Sequence, residues 1–161
     1  TPKPSSAASD VYKRQLLMNG AVPVYLPADR NALGLIGETD PAAFSEKNLR
    51  QEVAKKSPLK AKAKRPFRVA ILQLETYDGV FYQADWILKK IGHLCDYILF
   101  DCAWGGYEQF SSLLADLSPL NRDYRPQDPG ILVTQSIHKQ QAGMGQVSQI
   151  LKKDSLSLIH I

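Results

Sequence analysis

The chain has 161 residues, which is enough for one domain of ordinary size and too few for two. Hydrophobic residues make up 44% of it and charged residues 22%, a globular composition that excludes a disordered or collagen-like protein. The net charge is only +4, and the lysine-rich stretch 55–68 has no aromatic residue before Phe67, so we interpret that stretch as a solvated loop and expect no nucleic-acid partner. No apolar run approaches the roughly 18 residues of a membrane helix, so we expect no membrane partner. Cys95 and Cys102 fit no zinc or disulfide pattern, which favours a reducing, cytoplasmic compartment.

The two ends of the chain can be read from one inverted DNA repeat. Residues 10–15 can be encoded by GAT GTG TAT AAG AGA CAG, and the reverse complement of that DNA encodes LSLIHI, which is residues 156–161. The repeat resembles the transposon end used to build sequencing libraries, so we interpret 1–15 and 156–161 as adapter-like, non-native tails. A Ser/Ala-rich tail and a short terminal strand are the alternative. We therefore expect 16–155 to be an internal fragment of a longer protein and give His160 no role.

Residues 16–155 alternate between predicted strands and predicted helices. Short apolar runs predict four strands, at residues 21–26, 67–74, 96–101 and 131–135, and Pro23 weakens the first of them. Capping residues and apolar spacing predict helices over residues 41–56, 80–94 and 107–117 and from residue 140 onwards. Apolar strands separated by helices predict an α/β fold, with a mostly parallel sheet that is covered by helices on both faces.

Polar residues follow the predicted strands, at the sheet edge where parallel strands place their carboxyl ends. Asp101 ends an apolar run, where a carboxylate needs a cation or a protonated ring nitrogen beside it; an N-cap or loop aspartate is the alternative. Lys139 follows the last predicted strand within the run SIHK at 136–139, where a desolvated amine can attack a carbonyl; a surface lysine is the alternative. An aspartate at one strand end and this run at another are the pair that a pyridoxal-phosphate site needs.

Ordered motifs along 16–155 resemble the bacterial ornithine/lysine/arginine decarboxylases, whose fold is the aspartate-aminotransferase-like fold type I of pyridoxal-phosphate enzymes. The matching motifs are TYDG at 76–79, GHL at 92–94, CDYILFD at 95–101, AW at 103–104, GYEQF at 106–110, DPG at 128–130, VTQS at 133–136 and HKQQAG at 138–143. Within the last motif, QQAG is similar to the ornithine branch. The departures from the family pattern are Glu75 for a small residue, Cys102 for serine and Gly105 for valine. The resemblance implies that 16–155 is part of the large cofactor-binding domain.

The resemblance also implies that the parent protein is a pyridoxal-phosphate-dependent amino-acid decarboxylase. Lys139 would bind the aldehyde of pyridoxal 5'-phosphate, and Asp101 would pair with the pyridine nitrogen. His138 would lie near the reacting carbon as a proton donor. The implied reaction is the decarboxylation of L-ornithine to putrescine and carbon dioxide. A lysine or arginine decarboxylase of the same family, or a non-catalytic homologue, is the alternative.

Further contacts with the cofactor are implied for residues around these three. Ser136 and His138 would contact the phosphate, Ala103 would lie against one face of the ring, and Trp104 would line the site. No metal is implied. In this family the ring-stacking histidine, more phosphate ligands and the subunit contacts come from outside 16–155, and the parent is expected to be a homo-oligomer. We therefore expect the 161-residue chain alone to be inactive and to bind the cofactor poorly.

Overall fold

The computed structural model describes residues 14–153, which form a four-stranded sheet with helices packed against it. The strands are β1 (Phe67–Gln73), β2 (Cys95–Cys102), β3 (Gly130–Ser136) and β4 (Ser148–Lys153), and their order across the sheet follows their order in the chain. β2 pairs in parallel with β1 and with β3, whereas β4 runs antiparallel to β3. The predicted α/β fold is therefore confirmed, with one antiparallel strand that was not predicted. Residues 1–13 and 154–161, which hold almost all of the two predicted tails, lie outside the described residues.

The helices of the described region are short. Residues 14–18 are helical, and the later helices are α1 (Glu46–Lys56), α2 (Pro58–Ala61), α3 (Ala84–Ile91) and α4 (Ile137–Gln140), with 3-10 turns at Pro41–Phe44, Gly92–Leu94, Glu108–Phe110 and Ala115–Leu117. The predicted helix over 41–56 is divided because Ser45 adopts an extended conformation and caps α1, its Oγ accepting from the backbone N–H of Asn48 at 3.3 Å. No helix in the described part of the chain is long and apolar enough to cross a lipid bilayer.

Two predicted elements, one near each end of residues 16–155, are wrong. Residues 21–26 are not a strand, since Pro23 cannot donate a ladder hydrogen bond and the segment pairs with no strand of the described sheet. No helix begins at residue 140, where α4 ends instead. Ala142 has a φ of 54°, which leaves the helical region, and the chain returns as β4.

Three other predictions need adjustment. Residues 107–117 form two 3-10 turns because Ser111 between them is extended. The helix predicted over 80–94 is α3 followed by a 3-10 turn, and the residues before it are irregular. The stretch 55–68 is only partly a loop, since Ser57 caps α2 by accepting from the N–H of Lys60 at 3.4 Å.

The core lies around the central strand β2. Ile98 and Phe100 are fully buried, and they alternate along β2 with less buried residues, as expected for a strand. α3 contributes Ile87 and Ile91 to the same cluster. Because β1, β2 and β3 are parallel, their carboxyl ends share one edge, and the turns that follow them meet there.

Candidate active site at the carboxyl edge of the sheet

Asp101 lies in β2, one residue before its end, and is half-buried. Its Oδ1 accepts from the backbone N–H of Ala103 at 3.0 Å and from the Oγ1 hydroxyl of Thr134 at 3.4 Å. Thr134 is its register partner on β3. The sequence predicted no role for Thr134. Both bonds use Oδ1, so they orient the carboxylate and leave Oδ2 for another partner. The bond to Ala103 also gives Asp101 part of the local, turn-capping role that was the alternative.

Lys139 lies in α4 and is exposed, and its contact partner is an indole ring. Its Nζ lies 4.6 Å from the centroid of the Trp104 ring. Such a cation–π contact is worth about 0.5–1 kcal/mol at an exposed site. The structure therefore places Lys139 and Trp104 side by side.

Tyr77 completes an aromatic cluster at this edge. Its ring meets that of Trp104 edge to face, with the centroids 5.1 Å apart and the planes at 70°. Tyr77 follows β1, Trp104 follows β2 and Lys139 follows β3, so the cluster joins the turns after the three parallel strands. Sequence reasoning assigned Tyr77 no role in the site, although the turn that contains it follows a predicted strand.

Ser136 and His138 flank the start of α4 but face different partners from Lys139. The Ser136 side chain makes no capping bond to α4, so its hydroxyl is available. The Nδ1 of His138 lies 3.0 Å from the carbonyl oxygen of Val147, so Nδ1 is the donor in this bond and Nε2 is not used by it. Within the described residues, no hydrogen bond joins His138 to Lys139 or to Asp101.

Glutamine side chains pack against the turn after β2 and join β3 to β4. Gln141 donates from Nε2 to the carbonyl of Gly105 at 3.3 Å, and Gln149 donates to Oε1 of Gln135 at 2.7 Å. Gly106 has a φ of 97°, and a β-carbon there would lie 2.1 Å from Nε2 of Gln141 and 2.7 Å from Nε2 of Gln135. The close approach thus depends on glycine at this position. The site prediction did not include these glutamines.

The family model described as "Orn/Lys/Arg decarboxylase, major domain" matches residues 9–160, which is most of the chain and part of both predicted tails. The chain belongs to this decarboxylase family. The inducible ornithine decarboxylase of Escherichia coli (strain K12) is 59% identical over 140 residues, covering 87% of this chain and 19% of the relative. The inducible ornithine decarboxylase of Lactobacillus sp. (strain 30a) is 56% identical over 146 residues, covering 90% of this chain and 20% of the relative.

A solved structure from the family shares the fold of this chain. Lysine decarboxylase A from Pseudomonas aeruginosa matches with a TM-score of 0.77 at 30% identity, covering 88% of this chain and 19% of that structure. Curated lysine and arginine decarboxylases match in sequence at 30–34% identity. The chain thus spans about a fifth of the length of the decarboxylases that it matches.

Two departures from the family pattern lie directly beside the site. Cys102 is 1% exposed, and burial raises the pKa of its thiol well above its ordinary value, with nearby carboxylates raising it further. The thiol is therefore uncharged and inaccessible, which disfavours a nucleophilic role for Cys102. Glu75 is buried on the turn after β1 and accepts from the Tyr107 hydroxyl at 3.1 Å.

Proposed function

We propose that this chain is part of a pyridoxal-phosphate-dependent ornithine decarboxylase, which converts L-ornithine to putrescine and carbon dioxide. The observation that supports ornithine as the substrate is the difference in sequence identity between two groups of relatives. Four ornithine decarboxylases match at 55–59%, whereas lysine and arginine decarboxylases match at 30–34%. The presence of both Lys139 and Asp101 argues against a non-catalytic homologue.

The polar groups at the carboxyl edge suit pyridoxal 5'-phosphate. Asp101 offers Oδ2 to a protonated pyridine nitrogen, while Thr134 and Ala103 hold its other oxygen. Lys139 offers a primary amine on an exposed side chain, and a primary amine is the group that binds an aldehyde. The cofactor, when bound, supplies the electron sink that accepts the pair released as the carboxylate leaves.

The side chains of this fragment would orient the reactants and transfer one proton. The hydrogen bonds to Oδ1 keep the carboxylate of Asp101 fixed beside the sheet edge, so little reorganisation is needed on binding. The indole face of Trp104 shields Nζ of Lys139 from water on one side. The free hydroxyl of Ser136 can donate to a phosphate oxygen. Because Nδ1 of His138 keeps its proton to donate to the carbonyl of Val147, Nε2 is the basic nitrogen of the ring and can take up and release a proton.

The test places this segment in a full-length enzyme. Residues 16–155 replace the matching segment of the Escherichia coli inducible ornithine decarboxylase, and the chimera is assayed with ornithine, lysine and arginine. We expect putrescine as the main product; cadaverine or agmatine as the main product would overturn the substrate assignment. In the chimera, Lys139→Ala should abolish activity and the yellow absorbance of the bound cofactor, whereas Lys60→Ala, an exposed lysine on α2, should change neither. Retained absorbance in Lys139→Ala would refute the role of Lys139.

Two further proposals concern the chain itself and its parent. The 161-residue chain alone should release no putrescine, because most of the relatives' length lies outside it; detectable turnover by the purified chain would contradict this. The parent should be cytoplasmic, as supported by two cysteines that are free and buried. The family resemblance implies that the parent is a homo-oligomer. Light scattering on the chimera tests the oligomer, and a monomeric active chimera would refute it.

A further inference from the structure

Two buried glutamates meet beneath the turn that carries Trp104. Glu75 follows β1 and is 9% exposed, and Glu108 begins a 3-10 turn and is 2% exposed. A β-carbon added to Gly105 would lie 2.2 Å from Oε1 of Glu108 and 3.1 Å from Oε2 of Glu75. The two oxygens therefore share one small space, which the absence of a side chain at Gly105 leaves open.

Each glutamate has one oxygen with a hydrogen-bond donor and one without. The Tyr107 hydroxyl donates to Oε1 of Glu75 at 3.1 Å, and the backbone N–H of Gly106 donates to Oε2 of Glu108. The other two oxygens, Oε2 of Glu75 and Oε1 of Glu108, are buried and have no partner among the described residues. Two ionised carboxylates here would repel each other and leave both of these oxygens desolvated and unpaired, which is costly.

We propose that Glu75 and Glu108 share one proton, which Oε2 of Glu75 carries and donates to Oε1 of Glu108. A single proton gives both unpaired oxygens a partner, and a hydrogen bond to an ionised acceptor is among the stronger ones. The bond ties the turn after β1 to the turn after β2. Glu75 and Glu108 are thus positioning residues that hold Trp104 at the edge where it meets Lys139.

The surrounding groups favour the proton on Glu75. Burial raises the pKa of Glu75, the hydrogen bond from Tyr107 lowers it, and the charge of Glu108 raises it again. The titratable groups that face the pair are Tyr107 and Cys102. Burial and the neighbouring glutamates raise the pKa of Tyr107 to about 12, and burial also raises that of Cys102, so neither supplies a charge at neutral pH. While the shared proton is bound, the pair therefore carries one net negative charge.

The shared proton makes stability depend on pH with a definite sign. The folded chain keeps a proton on Glu75 that the unfolded chain releases above the ordinary glutamate pKa of 4.5. Its contribution is fully present below that pKa and is lost as pH rises through the higher pKa of the folded state. Stability should therefore fall with rising pH over this window, and the turn that bears Trp104 should loosen.

The first experiment measures urea unfolding of the whole chain from about pH 5 to about pH 8, where this proton is released. The variants are Glu75→Gln, Glu108→Gln and the exposed control Glu38→Gln. We expect the fall in midpoint with pH in the wild type and the control, and its loss in both pair variants. A fall that survives Glu75→Gln overturns the proposal. A fall that survives only Glu108→Gln shows that burial alone protonates Glu75, and it overturns the sharing of the proton.

The second experiment needs no variant to fold. Infrared spectra of the folded wild-type chain, recorded from about pH 5 to about pH 8, should show the carbonyl band of a protonated carboxylic acid that weakens as the proton is released. The band should disappear on unfolding, when glutamate ionises. Absence of the band in the folded chain refutes the shared proton whatever the variants do. The proposal does not depend on the cofactor or the substrate, so failure of the decarboxylase assignment would leave both measurements interpretable.

Discussion

Replacement of Gly106 by alanine should destabilise the chain through two separable effects. The φ of 97° forces a side-chain-bearing residue into a rarely adopted conformation, at a cost of about 1–2 kcal/mol. The new β-carbon would also displace Gln135 and Gln141, whose amide nitrogens lie 2.7 Å and 2.1 Å from its position. Loss of the Gln135–Gln149 bond would leave the buried amide of Gln135 without this partner, which adds about 1–2 kcal/mol. We therefore expect a total loss of about 2–4 kcal/mol in the free energy of unfolding.

Two other glycines of the same chain separate these effects. Gly79 has a φ of 85° with nothing within 4 Å of its added β-carbon, so Gly79→Ala measures backbone strain alone. Gly145 has neither a positive φ nor a neighbour within 4 Å, and Gly145→Ala should be neutral or slightly stabilising. The three variants should rank Gly145→Ala, Gly79→Ala and Gly106→Ala from most to least stable.

The assay is urea unfolding followed by circular dichroism. With a slope of about 1–3 kcal/mol per molar urea, Gly106→Ala should lower the midpoint by about 1–2 M. A Gly106→Ala midpoint equal to that of Gly79→Ala would show that the glutamine contacts contribute nothing. A midpoint equal to that of Gly145→Ala would refute the strain as well.

Three further variants or measurements test the core, a helix cap and the thiols. Ile98→Ala should cost about 2–5 kcal/mol in unfolding free energy, because the residue is fully buried, whereas the exposed Ile150→Ala should cost under about 0.5 kcal/mol; equal urea midpoints would contradict this. Ser45→Ala removes the side-chain cap of α1 and should cost about 1 kcal/mol by the same assay, and an unchanged midpoint would show that the cap is not formed. Burial raises the pKa of Cys95 to about 12 and also raises that of Cys102, so a disulfide reagent near neutral pH should react with both thiols only as the chain unfolds; rapid reaction in the folded chain would disprove their burial.

The strands that the sequence predicted are those with continuous apolar runs. β1, β2 and β3 are the parallel strands of the sheet, and such runs are typical of that position. β4 was missed because four of the six residues of its sequence SQILKK are polar and its burial alternates, as in a strand at the edge of the described sheet. Residues 21–26 are apolar enough to predict a strand, but sequence composition does not report whether a partner strand lies alongside.

In the candidate site, too, the sequence predicts residues that belong to one strand end but not contacts between separate turns. The places of Asp101 and Lys139 at the carboxyl edge of the sheet could be predicted, because Asp101 ends one apolar run and Lys139 follows another. Tyr77, Glu108 and Gln141 could not, because their contacts depend on how separate turns meet after the strands have paired. Glu75 was noticed only as a departure from a family pattern. The space at Gly105 that Glu75 shares with Glu108 depends on side-chain packing, which sequence spacing does not report.

The sheet order β1–β2–β3–β4 has a consequence for how the chain can fold during synthesis. Each strand pairs with the one synthesised immediately before it, so the described sheet can grow by adding one neighbour at a time from the ribosome. The helix that carries Lys139 lies between the last two strands, and its first N–H, that of Ile137, bonds to the carbonyl of Val147 at 2.9 Å just before β4. Within the described sheet, the surroundings of Lys139 are therefore completed only after β1, β2 and β3 have been synthesised.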